Sequence, residues 1–185
     1  MVGTIDQFRA QLIGGGARPN QFKVEINSPP GITTGLPTEN AAFLCKASQL
    51  PSMTIGEIAL PFRGRQVYIA GDREFPDTWT TTFMNDTNFL IRNALERWNN
   101  GINDLVTGTG VVVSADYQAD LKVSQLDRDD NVLKVYIFRN AWPVAISTIE
   151  LSTETTNTIE EFGCTWRYQH FEVSEVTPGI AAVAG

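Results

Sequence analysis

The sequence predicts a mainly β protein, an antiparallel barrel or sandwich with one flanking α-helix. Three observations lead to this class. Short segments with alternating apolar and polar residues recur along the chain, one segment repeats its apolar residues at helical spacing, and polar turn sequences separate them. A length of 185 residues suits one domain, and apolar and charged shares of 42% and 19% suit a folded core.

The strands are predicted from alternation or from runs of β-branched and aromatic residues. They cover residues 21–26, 78–83, 119–123, 132–138, 144–151 and 161–173. Between the third and fourth of these lies the polar sequence "LDRDDN". We therefore expect those two strands to form a hairpin.

One helix is predicted, over about residues 86–100. Its apolar stripe consists of Leu90, Ile91, Ala94, Leu95 and Trp98. Asn85 or Asp86 is suited to cap its start, and Gly101 follows its last turn. The stripe predicts that the helix covers one end or face of the barrel.

The chain is expected to divide into three parts. Residues 1–19 form an N-terminal segment with apolar residues at helical spacing, 20–173 form the β-barrel domain, and 174–185 form a tail of mostly small apolar residues. Within the domain, residues 27–40 ("NSPPGITTGLPTEN") read as a loop rich in Pro, Gly and Thr. A loop of this length is usually functional or mobile.

The net charge of −7 argues against a protein that grips nucleic acid, because such proteins present a basic face. The start of the sequence has no leader pattern, and no apolar run reaches the ~18 residues of a membrane helix, so we expect a protein without a membrane anchor. Cys45 and Cys164 lie in apolar strand-like settings. We expect both to be buried, reduced thiols.

No residues form a recognisable catalytic, cofactor or metal site. His170 has no nucleophile motif to serve, so a structural histidine is favoured over a catalytic one. Asp127, Asp129 and Asn131 match the first ligands of a calcium loop, but the required glycine and glutamate are missing, and a hairpin turn explains them. We therefore expect no enzyme activity and no cofactor.

Several motifs together resemble the tail tube proteins of contractile-tailed bacteriophages. The similarity begins at "ARPNQFKVEI" (17–26), is strongest in "RGRQVYIAGDREFPDTWTTTFMND" (63–86) and continues to "WRYQHFE" (166–172). This resemblance implies a tail-tube-like β barrel with a flanking helix. The 27–40 loop looks longer than the family's usual link, so no role is carried over to it.

The resemblance also implies a function and partners. Subunits would form hexameric rings that stack into the inner tube of a contractile tail, inside the virion and after synthesis in the host cytoplasm. The implied partners are further copies of the chain, the sheath, baseplate and terminator proteins, and, in the lumen, the tape measure protein and genomic DNA without sequence-specific binding. The alternative is a tube protein of a protein-injecting system, either type VI secretion or extracellular injection. A monomeric barrel that binds a small ligand is disfavoured, because no convergent polar residues are visible.

Three groups of residues are candidates for assembly. The first is a subunit-interface loop, with Arg63, Gly64, Arg65, Asp72, Arg73 and Glu74. A bend is expected at Gly64, and a positive φ, which glycine adopts at little cost, is expected at Gly71; a purely intramolecular hairpin remains the alternative. The second group comprises acidic residues that either line the lumen or lie on a solvated outer surface: Asp120, Glu150, Glu154, Glu160 and Glu172. The third, by resemblance only, is a sheath-facing helix surface with Arg92, Glu96 and Arg97.

Overall fold

The computed structural model of the chain describes residues 4–11, 16–75 and 78–175. Its helices are α1 (Ile5–Gln11), α2 (Thr38–Leu44), α3 (Leu90–Ile102) and α4 (Ser114–Tyr117). Its strands are β1 (Phe22–Ile26), β2 (Cys45–Ser48), β3 (Thr54–Phe62), β4 (Arg65–Glu74), β5 (Thr78–Met84), β6 (Ala119–Leu126), β7 (Val132–Ile146), β8 (Glu161–Arg167) and β9 (His170–Glu175). None of the helices described is long and apolar enough to cross a membrane.

The strands form two separate sheets, and every pairing is antiparallel. Seven strands join in one sheet with the order β1-β6-β7-β8-β5-β2, in which β9 also pairs with β7. The two end strands, β1 and β2, contact each other, so the sheet curls towards closure. The remaining strands, β3 and β4, pair only with one another. The predicted mainly β barrel or sandwich is confirmed.

The long strand β7 differs from the prediction of two strands over 132–138 and 144–151. It runs unbroken from Val132 to Ile146, and residues 147–151 lie outside any strand. Asn140 has a φ of 54° within it, and its backbone N–H donates to Asp120 Oδ1 at 3.1 Å. This side-chain bond stabilises an irregular point that would otherwise end the strand.

The strand predicted over 161–173 is interrupted. Trp142 pairs with Arg167 on β8 and Arg139 pairs with His170 on β9, so both strands follow the same side of β7 in one register. The interruption falls at Tyr168 and lies opposite the irregular point of β7. The prediction of one continuous strand was therefore wrong, although both parts of the segment do form strands and both pair with β7.

The core is aromatic. Trp79 stacks on Phe138 with ring centroids 4.4 Å apart, and Trp98 meets Trp166 edge to face at 5.6 Å. Both Trp98 and Trp166 are fully buried, and their indole N–H groups donate to Tyr117 O at 2.8 Å and to Thr81 Oγ1 at 2.9 Å. Buried indoles keep their hydrogen bonds in this way, so the rings add apolar contact without an unpaired donor.

Helix α3 covers the sheet, as its apolar stripe predicts. Ile91, Ala94, Leu95 and Trp98 are buried, whereas Leu90 stays 39% exposed and does not belong to the buried stripe. The helix starts later than predicted, and Asp86 Oδ1 accepts from Leu90 N at 2.9 Å. Gly101 lies inside the helix rather than after it. A Cβ there would lie 2.7 Å from Ile32, so a glycine at this position allows the helix to pack closely against that residue.

The 27–40 segment is partly ordered rather than a simple loop. Thr34 and Leu36 are buried, and the segment ends in helix α2, which contacts β1 and β2. Asn27 Nδ2 donates to Asp120 O at 2.9 Å, which fixes the start of the segment to β6. Pro and Gly content predicted irregular backbone here but not the burial that holds it.

Candidate assembly surface

Strands β3 and β4 form a hairpin that projects from the rest of the subunit. It makes no substantial contact with another helix or strand in the described part of the chain. Every residue in its strands is exposed except Gly56 and Gly71, which are half-buried. A two-stranded ribbon is marginally stable alone in water. Within the described residues, no other helix or strand supplies a surface that would stabilise it.

The hairpin has two chemically different faces. Its register places Ile58 opposite Ile69 and Leu60 opposite Val67. Together with Phe62 these residues form what we call the apolar face, on which the four aliphatic side chains are 47–48% exposed and Phe62 is 61% exposed. The opposite face carries Glu57, Ala59, Pro61, Gln66, Tyr68 and Ala70. The larger aliphatic side chains are thus gathered on one side of the hairpin, and the other side carries Glu57, Gln66 and Tyr68 among smaller residues.

The hairpin tip consists of Phe62, Arg63, Gly64 and Arg65. Arg63 and Gly64 have φ angles of 44° and 78°, which is typical of the two-residue type I′ turn that suits the twist of a hairpin. The Arg63 guanidinium carbon lies 5.4 Å from the centre of the Phe62 ring. Among the described residues neither Arg63 nor Arg65 has an ion pair, so the tip presents two cations beside an exposed aromatic ring.

The other predicted interface residues lie at the far end of the hairpin. Asp72, Arg73 and Glu74 are at its base, so the structure does not bring them together with Arg63, Gly64 and Arg65. In the part of the chain that is described, none of the three basal side chains forms an ion pair. The chain forms a hairpin here, and among the described residues no ion pair between its own side chains stabilises it.

The bend predicted at Gly64 is found at the hairpin tip, where its φ of 78° favours glycine. Gly71 does not have the expected positive φ, and it lies in a bulge opposite Gly56. A Cβ on Gly71 would lie 3.1 Å from Gly56 O, so the residue permits close approach of two backbones.

Two predicted lumen carboxylates belong to an ion-pair network at the irregular point of β7. Arg139 donates to Asp120 Oδ2 at 2.5 Å and to Glu172 Oε2 at 2.7 Å. The hydrogen bond from Arg139 holds the pKa of Glu172 below its usual value, and bonds to Glu172 and Asp120 raise the pKa of Arg139. His170 Nε2 lies 3.7 Å from Glu172 Oε1. These carboxylates therefore have a structural partner, while their lumen role stays a prediction.

The other three lumen candidates lie in the connection between β7 and β8, residues 147–160. This connection contains no Lys or Arg. Glu150 and Glu160 line a cleft of about 350 Å³ together with the adjoining Glu161, whereas Glu154 lies outside it. We call this the acidic cleft; its apolar lining is Ile149, Leu151 and Ile159.

The charged face of α3, predicted to meet the sheath, is largely engaged within the subunit. Arg92 pairs with Glu96 at 2.8 Å and donates to Ser147 O at 3.1 Å. Arg97 Nε donates to Thr34 O at 2.7 Å. These contacts fix α3 to neighbouring segments. Contact between a sheath protein and the exposed part of this helix face stays a prediction.

One exposed feature was not identified from sequence. After α3, Leu105 and Val106 are 94% and 92% exposed on a turn held by Asp104, whose Oδ1 accepts from the backbone N–H groups of Val106 and Thr107. Several hydrogen bonds lower the pKa of Asp104 to about 2, and the bond from Thr107 N–H has the largest effect. In the sequence, Leu105 and Val106 stand between Asp104 and "TGTG" (107–110), and this pattern could have indicated a rigid, exposed turn.

The described residues offer no centre for catalysis by a metal or thiolate. No group of three or more His, Cys, Asp or Glu within them is arranged to hold a metal ion. Cys45 and Cys164 are both free and buried, as predicted. Burial raises the pKa of Cys45 to about 12 and raises that of Cys164 as well, so neither thiol is a ready nucleophile.

Comparisons with known proteins identify relatives over nearly the whole chain. The model of the family described as phage tail tube protein matches residues 17–174. The tail tube protein of Serratia phage KSP90 is 28% identical over 90% of this chain and 95% of its own length. The tail tube protein gp19 of Enterobacteria phage T4 is 31% identical over 90% of this chain and 98% of its own.

Solved structures share the fold at lower identity. A chain of the sheath–tube complex of the extracellular contractile injection system PVC matches with a TM-score of 0.59 and 13% identity, over 95% of this chain and all of its own. A chain of the anti-feeding prophage cap matches with a TM-score of 0.59 and 16% identity, over 86% and 91%. At these identities the likeness concerns the fold alone.

Proposed function

The chain belongs to the phage tail tube protein family, and from this membership we propose that its subunits form hexameric rings that stack into a hollow tube. It is a structural tail tube protein of a contractile phage tail. The observation that carries the ring-and-tube proposal is the β3–β4 hairpin, whose apolar face is left uncovered by the described residues of its own subunit.

Assembly explains the two main features of the hairpin. An obligate interface is rich in apolar side chains and arginine, and the hairpin offers both, on its apolar face and at its tip. A projecting element that inserts into a different surface of the next copy makes a heterologous contact. Such contacts close into a ring when the rotation allows it and otherwise continue along an axis, so they suit a stacked tube.

The tube needs partners around it and at its ends. We propose that the sheath encloses it, that a baseplate starts it and that a terminator ends it. Fold neighbours come from a sheath–tube complex, a baseplate and a sheath/tube terminator, which supports these classes of partner. The protein is a virion component, synthesised in the cytoplasm of the host bacterium under this proposal.

The lumen conducts the genome and holds the tape measure protein before ejection. The net charge of −7 supports this proposal, since fixed cations opposite phosphates would slow the passage of DNA. No sequence-specific contact to DNA is part of it. A tube for protein injection is not favoured, because the relatives near 30% identity are phage tail tube proteins and the injection-system structures share 13–16%.

Electron microscopy of the purified chain tests the proposal. We expect rings with sixfold symmetry and tubes of stacked rings, either spontaneously at high concentration or on purified baseplates. A particle that stays monomeric under both conditions would count decisively against it. The double variant Arg63→Ala/Arg65→Ala should remain a folded monomer, as judged by circular dichroism, and yet give fewer and shorter tubes.

A further inference from the structure

We propose that the hairpin tip of one subunit docks into the acidic cleft of a second copy of the chain. This inference rests on the proposed tube function and names the surface that receives the tip. The tip comprises Phe62, Arg63, Gly64 and Arg65, and the cleft is lined by residues 148–152, 155 and 158–161. Charge, apolar lining and the absence of internal partners all point to this pairing.

The tip has unsatisfied binding groups. In the described chain Arg63 has a cation–π contact with the Phe62 ring but no ion pair, and Arg65 has no ion pair or side-chain hydrogen bond. An arginine fork pairs best with carboxylates that accept two parallel hydrogen bonds. Aromatic residues and arginine are both enriched at the cores of protein interfaces. The tip therefore fits a cleft that combines carboxylates with apolar walls.

The acidic cleft has that composition. Leu151 and Ile159 are 80% and 67% exposed in the isolated subunit and supply apolar walls. Glu161 is held by Lys46, whose Nζ lies 2.5 Å from Glu161 Oε1. Glu150 has no partner within the described residues, and Glu160 accepts only from Asn85 Nδ2, at 3.1 Å. Two available carboxylates thus face a tip that carries two available cations.

Three other clefts among the described residues match the tip less well. In the cleft beside α3, Arg92 and Arg97 balance the carboxylates of Glu96 and Asp104, and Arg92 pairs with Glu96. The cleft at the hairpin base has one carboxylate, Glu74, beside Arg73 and His170. A third cleft shares Glu160 with the acidic cleft, but its second carboxylate, Asp86, already accepts from Leu90 N.

The hairpin is long enough to reach another subunit. Strand β4 has 10 residues, and at about 3.3 Å per residue the tip lies on the order of 30 Å from the base. Among the described residues neither hairpin strand makes a substantial contact with β8, the strand at which the cleft ends. Tip and cleft are different surfaces, so their contact is heterologous and repeats from copy to copy.

This assignment gives Glu150 and Glu160 a task other than lining the lumen. The two roles predict different defects. If both residues only line the lumen, reversing their charge leaves assembly intact and slows passage of DNA. If they receive the tip, the same change prevents assembly. Glu154, in the same connection but outside the cleft, is the matched control.

Disulfide trapping tests the contact directly. The double variant Phe62→Cys/Leu151→Cys, mildly oxidised, should give a ladder of linked chains on a non-reducing gel. The native thiols should not interfere, since Cys45 and Cys164 are buried. The controls are Phe62→Cys alone and Phe62→Cys/Leu105→Cys, which places the second thiol on an equally exposed apolar site elsewhere. No ladder, or an equal ladder in the controls, would overturn the proposal.

Charge reversal provides an independent test. Arg63→Glu/Arg65→Glu and Glu150→Arg/Glu160→Arg should each reduce the assembled fraction at least tenfold, and the quadruple variant should recover most of it. Glu154→Arg and Arg128→Glu, the latter an exposed arginine outside the hairpin, should assemble normally. Normal assembly of either double variant, or no recovery in a folded quadruple variant, would refute the pairing. A disulfide ladder from a chain that never forms rings would instead refute the tube function and leave the contact intact.

Discussion

Shortening the apolar face of the hairpin should weaken assembly without unfolding the subunit. The change we propose is Leu60→Ala/Ile69→Ala, two side chains that are each 47% exposed in the isolated subunit. Full burial of such a side chain contributes about 1.5–3 kcal/mol, so covering the exposed half contributes about 0.7–1.5 kcal/mol. The pair therefore contributes about 1.5–3 kcal/mol per subunit to assembly. That corresponds to a critical concentration for tube growth about 10- to 150-fold higher.

The assay is sedimentation of tubes over a series of protein concentrations, with electron microscopy of the pellets. Glu57→Ala/Gln66→Ala, on the opposite face of the same hairpin, is the control and should leave the critical concentration within about twofold. The melting temperature of the monomer should change little in both variants, since exposed side chains contribute little to folding. An unchanged critical concentration for Leu60→Ala/Ile69→Ala would refute the idea that this face is buried on assembly.

Three further predictions concern the subunit itself. Trp98→Phe removes a buried indole N–H and leaves a carbonyl unpaired, so the free energy of unfolding in urea should fall by about 1–3 kcal/mol. Cys45 and Cys164 should resist iodoacetamide at pH 8 and react only in denaturant, because burial raises the pKa of Cys45 to about 12; labelling of the native subunit would contradict this. The hydrogen bond from Thr107 N–H contributes most to holding the pKa of Asp104 at about 2, below its usual 3.8, so its turn should be stable above about pH 4 and open as pH falls towards 2. Amide NMR shifts of the turn, followed through that range, provide the measurement.

Local patterns predicted the elements whose form depends on local chemistry. The alternation in β1 and β5 and the stripe of α3 gave their positions because burial on one face fixes the period of the sequence. Residues 63–74 were predicted to belong to a loop that reaches a neighbouring subunit. The structure has a projecting hairpin in this region, and its role at the interface remains our proposal.

Features that depend on distant contacts were not predictable. Strand β7 continues past Asn140 because Asp120, on a neighbouring strand, accepts its backbone N–H. The segment 27–40 is ordered by burial of Thr34 and Leu36 among elements far along the chain. No local pattern of apolar residues signals such contacts, because the partner residues are distant in sequence.

The pairing order of the strands has a consequence for synthesis on the ribosome. Strands β3 and β4 are neighbours in sequence and can pair as soon as they emerge, whereas β1 must wait for β6 and β5 for β8. At ordinary elongation rates the 148–161 region follows the hairpin by on the order of ten seconds. Under our proposal each nascent chain therefore displays its insertion element before any receiving site exists on the same chain. Completed subunits, not neighbouring nascent ones, are then the first surfaces that can capture it.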